Sequence, residues 1–244
     1  MSLLWSSLVV FFLAMQGSFA DPCDMTDCRN LEMKEELERV TWMPTTEEQL
    51  DKICPMLQNA LRCVANHLEE CHGRELAVIA TSDNKTVAAM GFITLSMSTL
   101  VGDVCNKESE FRQKYLSNIA CFKNLALVSD SKGKCSRDGF TAYQTYQNSV
   151  GLFEDENDEV HDSRAWCMST AYTMACFSAD LGQSCGEAAR TTFVDTLKRF
   201  KYLRMTDCTE ANIQELKTNF LDSLKLEEDR RNIFYTMFDQ RRRK

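Results

Sequence analysis

Twelve cysteines fall in two sets of six, and their spacing limits the possible folds more than any other feature of the chain. The first set is Cys23, Cys28, Cys54, Cys63, Cys71 and Cys105; the second is Cys121, Cys135, Cys167, Cys176, Cys185 and Cys208. In each set the third to fifth members are almost evenly spaced: CPMLQNALRCVANHLEEC runs from Cys54 to Cys71, and CMSTAYTMACFSADLGQSC from Cys167 to Cys185. Nine residues of α-helix rotate a side chain by about 180°, at roughly 100° per residue. Cys167 and Cys176 therefore point to opposite sides of one helix, and so do Cys54 and Cys63 if the kink at Pro55 is mild; such a helix can be tied to two different neighbours.

All twelve cysteines follow a leader-like segment. Leu3–Met15 is apolar but too short to span a bilayer, and Ser18 and Ala20 are small residues suited to cleavage after Ala20. No Lys or Arg precedes the apolar run, which departs from the usual signal-peptide pattern. Residues 1–20 are expected to be a signal peptide. An even cysteine count in an exported chain implies disulfides, because the secretory lumen is oxidising. Structural zinc is disfavoured: there is no Cys-x-x-Cys, and the only histidines are His67, His72 and His161. The formal charge of −8 lies wholly outside the leader and repels phosphate backbones, so no nucleic-acid partner is expected.

Along the chain the periodicity is helical throughout. Leu31–Val40 favours helix. Thr45 with Glu48 and Thr46 with Gln49 form overlapping capping boxes before the stripe Leu50, Ile53, Leu57, Leu61, Val64, Leu68. Pro55 predicts a short helical turn up to Cys54 and then a new or kinked helix. Thr86–Gly102 carries no charge; it is short and rich in Ser and Thr for a membrane span, and reads as a buried central helix. Glu108–Ser117 is helical. The Gly-containing stretch Ser129–Gly139 reads as a loop, and Ala142–Phe153 fits a helix. Glu154–Asp162 reads as an acidic solvated loop. A calcium loop starting at Asp155 would place Val160 where glycine is needed and Trp166 where glutamate is needed. Trp166–Leu181 is a helix expected to end at Gly182, and Glu187–Leu203 is amphipathic. Further helix faces follow at Ile213, Leu216, Phe220, Leu221 and Leu224, then at Ile233, Phe234, Met237 and Phe238. No sustained strand alternation occurs.

The fold class is therefore all-α: a disulfide-stapled helical bundle of two degenerate six-cysteine units, residues 21–120 and 121–244. CNKESEFRQKYL after Cys105 parallels CTEANIQELKTNFL after Cys208. Six cysteines allow fifteen pairings, which spacing alone leaves open. Pairing is expected mostly within a unit, with equivalent cysteines pairing equivalently.

The triplet Cys54…Cys63…Cys71 and the stretch CNKESEFRQKYLSNIAC from Cys105 to Cys121 resemble the arthropod secreted cysteine-rich helical proteins of the 27 kDa haemolymph glycoprotein kind. The likeness covers about half of the mature chain. It implies an extracellular, disulfide-bonded, often glycosylated helical protein with no assigned activity, and it supplies no catalytic residues.

Motifs that carry chemistry are few. Asn84-Lys85-Thr86 is the only glycosylation sequon, in the polar break Thr81–Lys85. Gly182-Gln183-Ser184-Cys185-Gly186 fits the nucleophile-elbow pattern. That elbow requires a strand before the serine and a histidine after it, yet His161 is the last histidine. His67 and His72 lie five apart, off a shared helix face, and read as solvent-exposed. Arg241–Lys244 and Arg230-Arg231 are basic runs that read as solvated, with an anionic partner or basic-site trimming as the sharper alternatives. Met90 and Met97 could line a pocket, but methionine is an ordinary core filler and plain core is the favoured reading. No catalytic residue, cofactor or metal is expected. The sequence points to a secreted, non-enzymatic extracellular protein binding a protein partner or a small apolar ligand. The alternative is a structural or secretion component, such as a matrix, venom or silk-gland constituent. No membrane span is expected in the mature chain.

Overall fold

A computed structural model describes residues 23, 25–28, 30–127, 131–151, 158–200, 208–224, 226 and 231–235. The expected signal peptide, Arg230, the basic tail 241–244, residues 152–157 of the acidic region, and Leu203, Met237 and Phe238 lie outside them. Among the described residues there is no strand. All twelve cysteines are disulfide-bonded, and the protein is a disulfide-stapled all-α fold.

The chain divides into two compact units, Met1–Leu127 and Val128–Lys244. A boundary at 120/121 would have cut through a helix. In the first unit a 3-10 turn, Thr26–Cys28, precedes α1 (Leu31–Arg39), α2 (Glu47–His72), α3 (Leu76–Ile79), α4 (Lys85–Cys105) and α5 (Glu110–Leu127). The second unit holds α6 (Ser131–Val150), α7 (Asp158–Cys185), α8 (Glu187–Arg199) and α9 (Glu210–Glu215). The last continues through a π-helical turn, Leu216–Phe220, into Leu221–Ser223.

α2 organises the first unit. Of the two capping boxes, Thr46–Gln49 forms: the Thr46 hydroxyl accepts from Gln49 N at 3.2 Å, and Gln49 Oε1 accepts from Thr45 N at 2.7 Å. The predicted stripe is buried, against α4 and α3. α2 does not break at Pro55. A proline inside a helix costs about 3 kcal/mol or more. The same helix carries three disulfides, Cys54–Cys105, Cys63–Cys28 and Cys71–Cys23, closing separations of 51, 35 and 48 residues. By loop-closure entropy each stabilises by about 4 kcal/mol, which outweighs one lost hydrogen bond on the exposed side where Pro55 sits. Cys54 and Cys63 do reach different neighbours, the end of α4 and the N-terminal turn. Gly73, at φ 61°, terminates α2.

α4 is not the buried helix its composition suggests. Its buried residues are Gly91, Thr94, Ser96, Met97 and Val101, while Phe92, Ile93, Leu95 and Leu100 are half-buried. By length and composition alone it could cross a membrane, but only 28% of its most apolar stretch is buried. Close approach selects small residues here: a Cβ on Gly91 would sit 2.7 Å from Ala80 N. Met97 is core, and Met90 packs at the rim of the cluster formed by Cys28, Val64, Leu68, Leu76 and Ile79.

The α1–α2 connection is strained, with Thr41 and Trp42 at φ 53° and 63°. It is held by Lys123 Nζ donating to Val40 O at 2.7 Å and by Tyr115 OH donating to Pro44 O at 2.9 Å. Nearby, the 2% exposed Arg112 pairs with Asp51 at 2.6 Å and donates to Val104 O, while Lys107 takes the other Asp51 oxygen at 2.6 Å. The Lys107 hydrogen bond, with that of Arg112, holds Asp51 below the usual carboxylate value against the opposing effect of burial.

In the second unit α7 plays the part of α2, bonded through Cys176 to Cys135 on α6 and through Cys167 to Cys208 before α9. The second and fourth cysteines pair in both sets, and so do the third and sixth. Cys121 and Cys185, the first and fifth of the second set, are disulfide-bonded too. Four sequence readings are corrected here. Residues 131–139 are helix, not loop. Gly139 is a packing residue, because a Cβ there would lie 2.7 Å from Ser169 O and 3.0 Å from Thr173 Oγ1 on α7. α7 does not stop at Gly182 but runs to Cys185, and the break comes at Gly186, φ 86°. It also begins at Asp158, so the end of the acidic stretch is helical. The amphipathic α8 stops at Arg199, short of Leu203.

Candidate functional site

The second unit contains a groove of about 520 Å³ between one face of α6 and the turn that follows the π-helical segment. α6 contributes Asp138, Thr141, Ala142, Thr145, Tyr146 and Ser149, a helical stripe with spacings of three and four; Ser223 and Leu224 form the opposite wall.

Its walls are fixed from behind. Tyr146 is 3% exposed, its ring edge-on to Phe220 at 5.4 Å. Its hydroxyl donates to Glu215 Oε1 at 2.7 Å, and the other Glu215 oxygen pairs with Arg164 Nε at 3.0 Å. α6, α7 and α9 thus meet at one carboxylate. Desolvation, then the Glu215 acceptor, pushes the Tyr146 phenol up to about 12. The π-helical turn begins one residue after Glu215 and carries Phe220 to the tyrosine; such turns are often found at functional positions. Asn212 on α9 donates to Ser163 Oγ on α7 at 3.3 Å.

Every hydroxyl lining the groove is engaged as a donor. Thr141 donates to Arg137 O at 3.0 Å, Thr145 to Thr141 O at 2.9 Å, Ser149 to Tyr146 O at 2.7 Å and Ser223 to Phe220 O at 2.7 Å. A carbonyl cannot donate, so each proton sits on the hydroxyl and points at the main chain. None of these four hydroxyls is aimed at a base, whereas that of Tyr146 is held by the Glu215 carboxylate. Asp138 is exposed.

The sequence-derived candidates lie elsewhere. Asn84 is exposed and caps α4, its Oδ1 accepting from Thr86 N at 3.1 Å and Val87 N at 3.2 Å. Ser184 lies in the last turn of α7, not after a strand, and Cys185 beside it is disulfide-bonded. His67 and His72 are half-buried on α2, not fully exposed as expected, and His161 falls near the start of α7. His72 Nε2 lies 3.6 Å from Cys23 Sγ, and with Cys71 these three could ligate by distance. Cys135, Cys176 and Asp180 form a similar group. In both groups the two sulfurs are bonded to each other and offer no thiolate. The groove itself went unnoticed in the sequence. Its one signal is the run of small hydroxyl residues at helical spacing between Asp138 and Ser149.

No protein-family model matches this chain, and neither a curated protein nor a solved structure is found to be similar to it.

Proposed function

We propose that the protein is secreted and works outside the cell as a non-enzymatic binding protein, holding a small ligand with an apolar body in the α6 groove. The groove carries this reading. Its volume falls in the range of small-molecule sites, roughly 300–1,000 Å³, and its walls combine Ala142, Leu224, threonine methyls and an aromatic ring with few polar atoms. Six disulfides suit an oxidising extracellular setting. Export through residues 1–20 and a glycan on Asn84 belong to the same proposal. Asn84 is exposed, and its helix cap uses Oδ1, leaving the amide nitrogen for the sugar. The common pairing of second with fourth and third with sixth cysteines supports two versions of one six-cysteine unit. Cysteine spacing is likewise what supports kinship with the haemolymph glycoproteins.

Native mass spectrometry of protein secreted by a eukaryotic host tests the proposal. The expected species begins at Asp21, carries a glycan and retains a small-molecule adduct that Ala142→Phe removes. Protein that starts at Met1, or that never carries an adduct even when apolar compounds are added, would overturn it.

A further inference from the structure

Resting on the groove reading above, we infer that the ligand is a small organic cation, a primary ammonium group carried on an apolar body. The hydroxyl protons of Thr141, Thr145, Ser149 and Ser223 are all directed to main-chain carbonyls, and that of Tyr146 to Glu215. What Thr141, Thr145, Ser149 and Ser223 present to the groove in this arrangement is oxygen lone pairs. The remaining polar lining group is the carboxylate of Asp138, which has no hydrogen-bond or ion-pair partner among the described residues. Among the described residues the lining side chains thus supply acceptors and a negative charge, and no cation.

A carboxylate, phosphate or sulfate entering the groove would meet lone pairs and a like charge and lose its hydration without replacement, which is costly. An uncharged apolar molecule would fill the volume but leave the acceptors unused. An ammonium group has three donors and no acceptor, so it matches the groove in both hydrogen-bond sense and charge. Ala142, Leu224 and the threonine methyls then receive the apolar body. The volume suits a free small molecule better than a lysine of a docked protein, which would need a flat apron of contact around it.

Three probes of equal length separate the possibilities: octylammonium, 1-octanol and octanoate, titrated calorimetrically into the full secreted protein at neutral pH. Octylammonium is expected to bind about threefold to fivefold more tightly than octanol, as an exposed ion pair worth up to about 1 kcal/mol implies, and octanoate more weakly than either. Asp138→Asn should bring octylammonium to within about twofold of octanol without changing octanol, since the charge term is the one removed. Asp138 is exposed and supports no other side chain, so the variant should keep its helical circular dichroism. Ala142→Phe should abolish binding of every probe. Octanoate binding as well as octylammonium, or a preference that survives Asp138→Asn, would overturn the cation assignment while leaving the groove as a ligand site. Failure of all three probes to bind would overturn both readings, as would octylammonium binding that survives Ala142→Phe.

Discussion

Replacing Gly139 by alanine should destabilise the second unit, although alanine is the better helix former. In an open helix position Gly→Ala stabilises by roughly 0.5–1 kcal/mol. At Gly139 the new methyl would sit 2.7 Å from the Ser169 carbonyl oxygen and 3.0 Å from Thr173 Oγ1. The first contact is main chain of α7, and the nearby Cys135–Cys176 bond pins the two helices together, so relief requires α6 and α7 to move apart. Forced overpacking of this kind costs about 1–3 kcal/mol, leaving a net loss of about 1 kcal/mol. The sign decides the matter. Gly182→Ala in the same unit meets only the flexible Arg190 side chain, at 3.2 Å, and Gly102→Ala meets nothing within 4 Å; both should gain stability. Gly91→Ala, facing the Ala80 main-chain nitrogen at 2.7 Å, should lose it. Urea unfolding followed by circular dichroism reads all four, and a 1 kcal/mol change moves the midpoint by about 0.3–1 M. A Gly139→Ala protein unfolding at or above the parent midpoint would refute the close α6–α7 approach.

Removing the Cys135–Cys176 bond by paired serine substitution should cost about 4 kcal/mol, since it reopens a 41-residue separation; urea midpoints check it. Tyr146 should ionise near 12, so Tyr146→Phe should remove one phenolate step near that pH from the absorbance titration at 295 nm. Because that pKa is raised, its contribution to stability is complete below about pH 10 and is lost as pH rises through 12. Asp51 has the opposite sign. Its pKa is depressed, so its contribution is present above the ordinary carboxylate value and lost as pH falls through the lower folded value. Asp51→Asn should therefore weaken the protein at pH 7 far more than at pH 2, as urea unfolding at the two pH values will show.

The groove was hidden in the sequence for a definite reason. Lys132-Gly133 and Asp138-Gly139 carry the composition of a turn, and reading one there removes Asp138 from any helix face. The lining hydroxyls also look like ordinary surface polarity until their protons are traced to particular carbonyls. Those bonds reach only three or four residues back along the same helix, but the position of Leu224 across from α6 is not a local property. The same holds for Tyr146, whose raised pKa depends on burial and then on Glu215, 69 residues away.

The helical class, a helix start at the overlapping boxes of Thr45–Gln49, the buried stripe of α2 and the opposed Cys167 and Cys176 were legible in the sequence alone. These follow from periodicity and from hydrogen bonds within a few residues, which the chain encodes locally. Which cysteines pair, that α2 continues through Pro55, and that Gly91 and Gly139 serve helix contact while Gly186 makes a break were settled by packing between distant parts of the chain. A proline or glycine has the same local preferences wherever it stands. Whether a helix continues past it depends on what packs against that helix, and here distant disulfides and neighbouring backbones outweigh the local cost.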